Sequence, residues 1–455
     1  MYLFYDFETS SRDLLGQILS YSFILTDNTY SIIQELSGLI KLNRTQLPEI
    51  EAILVNRLNI DDLQQLGDTE YDAAKKIYTF LSDIVSQYGS CTLAGYNTNR
   101  FDLSFLRNLL IRYGLNPYFS GHLINKDVLH FAQWNAFENP DTFPWVLETR
   151  EDVSYYSFSL ENLSSALGIL TKPQTHGARD DVILTLDLVK ALEEKFGRSF
   201  HHFTPIQTPA QPDSQMTFEL GKQKVSVYKS MENPPQKYRY ALWLKLFSSG
   251  KGLILLDLEK YAYLENRSDA EILTCIRYIN PNKHFFILES LTPEESQAWQ
   301  SSVEAAHSEP FLTTLDAPRY FELIKKDWDI EYQIHEMGFQ RIDQLRDLVN
   351  AFFKNPNSYF DTVRTLWKNK KDPKDITMIQ LYNRLYLNYH PAPDTTHLQR
   401  YFEPRYITGS LLKDPDTFES IPDRKAKLAT LLAQASEEDL AILEPLNRYY
   451  EAFFL

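Results

Sequence analysis

Only two of the 455 residues are cysteine, Cys91 and Cys275, and they lie far apart in the chain. That spacing excludes a disulfide framework and a cysteine metal site, and it fits a reducing compartment such as the cytoplasm. Long apolar runs are missing too. No stretch approaches the roughly 20 residues that cross a bilayer, so no membrane association is expected. The chain enters an apolar strand at once, without a basic leader, which suggests no export signal. Positive charge is the third shortage: 46 Lys and Arg stand against 61 Asp and Glu, a formal net charge of -15. An indiscriminate polyanion binder is thereby excluded, because its mean field would repel nucleic acid. A local cationic cleft or a bound metal ion is still allowed, since charges are screened beyond about 8 Å at physiological salt.

What is present is a globular composition, 43% hydrophobic and 14% aromatic, with 28 Tyr and 28 Phe. The length implies two or three domains. The most informative stretch is the first strand, Phe4-Tyr5-Asp6-Phe7-Glu8-Thr9. Alternate strand residues share a face, so Asp6 and Glu8 look out together while Leu3, Tyr5 and Phe7 pack the other way. Two carboxylates that close raise each other's pKa unless a cation neutralises them, and an oxygen-only ligand set suits Mg²⁺ or Mn²⁺.

Two further strands, Ile18 to Leu25 and Tyr30 to Ile40, suggest an antiparallel meander. Ile77, Phe80, Leu81, Ile84 and Val85 recur at helical spacing over Tyr71 to Tyr88, with Thr69 as N-cap and Gly89 as the stop. A short strand, Thr92 to Gly95, runs into Asn97 and then Phe101-Asp102, at the start of another helix. Further helices are expected over Val128 to Phe137, Leu160 to Leu167 and Arg179 to Phe196. The fold class of this region is α/β with a mixed sheet flanked by helices. Thr204 to Gln215, with three prolines, reads as a linker. Strand texture follows over Lys222 to Tyr228, Lys237 to Phe247, Leu253 to Leu258 and His284 to Leu288, which suggests a small β domain. From Phe339 onward helical periodicity returns and an all-helical region is expected. The divisions fall at 1–200, 201–338 and 339–455.

Asp102 at a helix start and Asp181 in a first helical turn each have an ordinary reading, as a cap and as a favourable helix-terminal charge. The ordered set is harder to explain that way: D-x-E, then N-x-x-x-F-D, then H-x-A-x-x-D, each at the edge of an element. These motifs, with Gly95-Tyr96-Asn97, Ser157-Phe158-Ser159-Leu160-Glu161-Asn162-Leu163 and His176-Gly177-Ala178-Arg179-Asp180-Asp181, resemble those of the DEDDh (DnaQ-like) 3′→5′ exonucleases, and within them the bacterial exonuclease I group. The resemblance is strong over about the first 200 residues. It implies an RNase H-like exonuclease domain followed by an SH3-like β domain and a helical domain, and hydrolysis of single-stranded nucleic acid, with DNA favoured over RNA.

By that resemblance Asp6, Glu8, Asp102 and Asp181 hold two Mg²⁺ ions, with Mn²⁺ as a substitute, and His176 is the general base. Asp180 is the alternative ligand beside Asp181. Phe7 and Thr9 contact the terminal nucleotide, Leu54 or Val55 wedges beside the last base, and Asn97 belongs to the substrate site. Ser159 departs from the pattern, where relatives often carry Lys or Arg. Beyond the nuclease region, Lys237, Arg239, Trp243 and Lys245 form one face of a strand suited to following a single strand by phosphate contact and stacking. Lys368, Lys370 and Lys371, with Arg384, Tyr386, Tyr389, Arg400, Tyr401 and Arg405, repeat the mixture. The expected protein is a monomer, and a single-strand-binding protein as partner is left open. The alternatives are an exoribonuclease of the same superfamily and a non-catalytic nucleic-acid-binding module.

Overall fold

A computed structural model describes residues 1–150, 152–170, 177–204, 217–220, 223–237, 239–250, 252–280, 284, 286, 293–325, 328–413 and 418–453. The expected linker therefore lies outside the described residues after Thr204, and so does most of the strand expected over His284 to Leu288. Five strands make the first sheet: β1 (Tyr2–Thr9), β2 (Ile18–Thr26), β3 (Ile32–Leu39), β4 (Cys91–Gly95) and β5 (Leu123–Asp127). Their order is β3-β2-β1-β4-β5, so β1 is central. It pairs antiparallel with β2, placing Asp6 opposite Ser22 and Glu8 opposite Ser20, and parallel with β4.

Helices α1 (Ile50–Asn56), α2 (Ile60–Leu66), α3 (Glu70–Tyr88), α4 (Asp102–Arg112) and α5 (Val128–Glu138) connect or follow these strands. The hairpin β6 (Val146–Arg150) and β7 (Val153–Ser157), then α6 (Leu160–Ala166) and α7 (Ala178–Phe196), complete the region. The ends of α3 follow from sequence: the Thr69 hydroxyl accepts the Asp72 N–H at 3.2 Å, and Gly89 at φ 75 stops the helix. Alternation along β1 splits the core in two. Leu3, Tyr5 and Phe7 join the cluster built with α3 and α4, whereas Tyr2 and Phe4 join the one built with α5 and α7. Asp6 and Glu8 continue the Tyr2–Phe4 face, and that is the face α7 covers.

The second sheet is antiparallel, in the order β12-β11-β10-β9-β8, from β8 (Thr217–Leu220), β9 (Gln223–Gln236), β10 (Arg239–Ser249), β11 (Gly252–Asp257) and β12 (Ile276–Ile279). Around and after it come α8 (Leu258–Ala262), α9 (Asp269–Thr274), α10 (Pro293–Ser308), α11 (Pro310–Thr314) and α12 (Ala317–Leu323), so helices begin well before Phe339. The remaining helices are α13 (Phe339–Lys354), α14 (Tyr359–Asn369), α15 (Pro373–Tyr389), α16 (Thr395–Phe402), α17 (Ile421–Gln434) and α18 (Glu437–Ala452). Among the described residues no helix is long and apolar enough to cross a membrane.

The C-terminal helices do not keep a core to themselves. Ile342, Leu345 and Val349 of α13 and Tyr382 and Leu385 of α15 belong to the same apolar cluster as Tyr5 and Phe7. Gly114 sits at φ 70, and a Cβ there would stand 2.1 Å from the Arg346 nitrogen, so only glycine lets the two backbones approach. A buried ion network ties the same junction. Arg112 of α4 pairs with Glu70 at 2.9 Å and with Glu331 at 3.1 Å; Arg384 pairs with Asp329 and Glu331; Arg405 reaches Asp329 at 2.7 Å. Arg384 and Arg405, expected to line a strand channel, are thus committed to internal carboxylates. Tyr386 is buried, and the Tyr389 hydroxyl bonds to that of Tyr113.

Candidate active site

Three elements converge on one end of β1. Asp6 and Glu8 leave the strand on the α7 side, and Asp181 comes from the first turn of α7, which Val182, Leu186 and Val189 press onto the sheet. Carboxylate oxygens of Asp6, Glu8 and Asp181 all lie within 4.8 Å of one another. Asp102 stands beside them. It is the first residue of α4 and is not its N-cap, which is Phe101. Its side chain instead accepts the Phe7 N–H at 3.1 Å, locking the helix start to the strand that carries the acids.

The electrostatics are unfavourable in a consistent direction. Desolvation is the main cause of a raised Asp6 pKa, followed by the charges of Asp102, Glu8 and Asp181. Glu8 is pushed up to about 8, by desolvation first and then by Asp181 and Asp102. Asp102 is raised to about 7 by burial, against the opposing pull of backbone N–H groups. No Lys or Arg is among the causes acting on these three groups. Converging donors that are all carboxylate oxygen fit a hard divalent cation. Arg179, two residues before Asp181, pairs with Glu35 of β3 at 2.9 Å, fixing the start of α7 over the sheet edge.

One supporting acid was not anticipated from sequence. Asp127, fully buried at the end of β5, accepts the N–H groups of Asn97, Asn99 and Leu129 at 2.8, 2.9 and 3.0 Å. It shapes the turn between β4 and α4, in which Asn97 adopts φ 58. Burial raises it to about 6, and the three N–H bonds oppose that rise. Its signal was the one that marked Asp102, an acid where a strand becomes a helix.

The other expected residues divide. His176 lies outside the described residues. Asn97 is exposed at its turn and Val55 is exposed on α1, next to Asn56, whose amide donates to the Thr9 carbonyl at 3.1 Å. Leu54 packs half-buried against an apolar cluster. The Phe7 ring is buried against Tyr5 and Phe23, and its N–H donates to Asp102. The Thr9 hydroxyl is engaged with the Ser11 carbonyl at 2.7 Å. Ser159 caps α6 by accepting the Asn162 N–H. Lys237 lies 4.0 Å from Asp141, and the side chain of Arg239 is outside what the structure describes. Trp243 does not lie on an outward face as expected. It is buried with Tyr228, Leu255, Ile279 and Phe286, and its indole N–H donates to Ser230 at 2.8 Å, so no base has access to stack on it.

A central strand bearing D-x-E, flanked by two helix starts that each supply an aspartate, is the arrangement expected from the resemblance to DnaQ-like exonucleases. The fold is that of exonuclease I. Over 99% of both chains it superposes on E. coli exonuclease I in complex with a dA16 oligonucleotide, with a TM-score of 0.70 at 19% identity. The zinc-ion-bound form of the E. coli exonuclease I–ssDNA complex matches with a TM-score of 0.69 at 18% identity, covering 100% of this chain and 99% of that one. In sequence the chain is 27% identical over 212 residues to exodeoxyribonuclease I of Buchnera aphidicola subsp. Baizongia pistaciae. That match covers 46% of this chain and 42% of the relative, less than half of either. No protein-family model matches.

Proposed function

We propose that the chain is a divalent-metal-dependent 3′→5′ exonuclease that degrades single-stranded DNA to mononucleotides. The observation carrying this reading is the set of four neighbouring carboxylates, Asp6, Glu8, Asp102 and Asp181, three of them with pKa values raised by burial, set in an exonuclease I fold. Such a cluster is costly to keep in a folded protein unless a cation completes it.

Asp6, Glu8, Asp102 and Asp181 would hold two Mg²⁺ ions, for which Mn²⁺ would substitute. Ions so placed would supply charge neutralisation at the phosphorus oxygens, activation of water, and stabilisation of the departing 3′ oxygen. The chain's own part is positioning. The Phe7 N–H and the Asp127-braced turn fix Asp102, and the apolar face of α7 fixes Asp181. His176, five residues before Asp181, would take the proton of the attacking water, and nearby carboxylates would keep an imidazole basic enough for that near neutral pH. Val55 and Asn97, both exposed, would contact the terminal nucleotide.

The test is a matched set of time courses in Mg²⁺ with 3′-labelled and 5′-labelled single-stranded DNA, RNA of the same sequence, and duplex DNA. Early release of the 3′ label from single-stranded DNA, with the duplex spared, is expected. Preference for RNA would replace the substrate, and no cleavage in Mg²⁺ or Mn²⁺ would overturn the assignment.

A further inference from the structure

About 620 Å³ of open volume lies between α14, α15 and α16, remote in sequence from the carboxylates, in a cavity whose walls include Trp328, Arg384, Arg400, Tyr401 and Arg405. The size is ordinary for a small-molecule site. Its donors are unevenly used. Arg405, 3% exposed, donates Nε to Asp329 at 3.0 Å and holds Nη2 2.7 Å from the same carboxylate as an ion pair, while among the described residues neither buried Nη1 nor Nη2 has a hydrogen-bond acceptor. The buried indole N–H of Trp328 has none among them either. A buried donor left without a partner costs about 1–3 kcal/mol, and here such donors from two residues border one cavity.

The charge points the same way. Of the ion network at the cavity, Arg384, Arg405 and Asp329 line it, and Arg112, Arg384 and Arg405 are matched by Glu70, Asp329 and Glu331. Arg400, also in the lining, is exposed, with no carboxylate partner among the described residues, and Lys413 sits 5.4 Å over the Trp328 ring. The surplus is cationic, the unused groups are donors, and the walls are partly aromatic. We propose that this cavity is a second ligand site, distinct from the carboxylate cluster, which takes a phosphate joined to a nucleobase: the phosphate at Arg400 and Arg405, the base against Trp328 and Tyr401. The choice of a nucleotide among anions rests on the exonuclease reading, for which a nucleoside monophosphate is the product. The same chemistry is offered by a free mononucleotide and by a stretch of single strand.

Isothermal titration of the full chain with dAMP in EDTA tests this, because without cations the four carboxylates repel a phosphate. One site is expected, unchanged in Asp6→Asn and weaker by about tenfold in Arg400→Ala, the equivalent of one charge-assisted contact. Trp328→Leu should weaken dAMP more than inorganic phosphate. No dAMP binding, loss of binding in Asp6→Asn, indifference to Arg400→Ala, or equal affinity for inorganic phosphate would each overturn the proposal. Displacement of dAMP by a short oligodeoxyadenylate at lower concentration would assign the site to the strand, and weaker competition to the free nucleotide; both support it. Hydrolysis by the same protein is scored separately. Arg400-dependent dAMP binding without nuclease activity would remove the exonuclease reading and keep the site, and active enzyme without dAMP binding would do the reverse.

Discussion

Two buried acidic clusters in this chain meet opposite fates. At the junction between α4 and the C-terminal helices, Glu70, Asp329 and Glu331 share three arginines. Burial alone would raise Asp329 and Glu331, but Arg384 and Arg405 hold the first below the usual carboxylate range, and Arg112 and Arg384 hold the second there. At the end of β1, Asp6, Glu8 and Asp102 are all driven the other way. The first cluster is complete as the chain folds, and its three-to-three charge balance explains how it is tolerated. In the second, burial and neighbouring acids raise Asp6, Glu8 and Asp102, and no arginine offsets the rise in these three. Strongly raised carboxyls gathered on the central strand of the main sheet mark a candidate functional site, and a divalent cation would relieve their repulsion.

Removing one partner from the balanced cluster separates the two cases most strongly. Asp6→Asn should reduce hydrolysis to background while the fold persists, whereas Arg112→Ala should cost about 3–5 kcal/mol in urea unfolding by leaving Glu70 and Glu331 buried without their guanidinium. Equal stability losses for the two variants would erase the contrast. His176→Ala should lower turnover and leave the binding of Mg²⁺ nearly intact; equal losses in both would move His176 out of the proton-accepting role. In EDTA, Asp6→Asn should stabilise the protein by about 1 kcal/mol, since one like charge is gone.

The pH dependence is the subtlest effect, and its sign differs between the clusters. A carboxyl whose pKa is raised on folding binds its proton more tightly in the native state. Asp102 at about 7 and Glu8 at about 8 therefore make the metal-free protein lose stability as pH rises from about 4 to 8. Asp329 and Glu331 are lowered, so their contribution is present above pH 4 and drains away on acidification below it. Thermal melts in EDTA across pH 4 to 9 should show the alkaline loss in the wild type and a smaller one in Asp6→Asn.

Much of this was legible in the sequence for physical reasons. Period-two alternation put Asp6 and Glu8 on one face of β1, and helical spacing with Thr69 and Gly89 set α3 nearly to the residue. Asp102 and Asp181 were marked by their positions at helix starts. What sequence could not supply was pairing over long separations. Arg384 and Arg405 look like free cations until Asp329 and Glu331, more than 50 residues away, are folded against them. Trp243 reads as an outward face because alternation says nothing about a second layer, and Phe286 and Ile279 provide that layer. Asp127 carried the same local signal as Asp102 but needed the β4–β5 pairing to show which turn it holds. The helical region appeared to be a separate unit because periodicity cannot reveal that α13 and α15 share a core with β1.

The most direct measurement is the thermal midpoint of the wild type and of Asp6→Asn with and without millimolar Mg²⁺, at low calcium and neutral pH. The wild type should rise by several degrees with Mg²⁺, because the ion binds only the native carboxylate cluster, and Asp6→Asn should barely respond. An unchanged wild-type midpoint, or an equal rise in both, would contradict the claim that this cluster is a cation site.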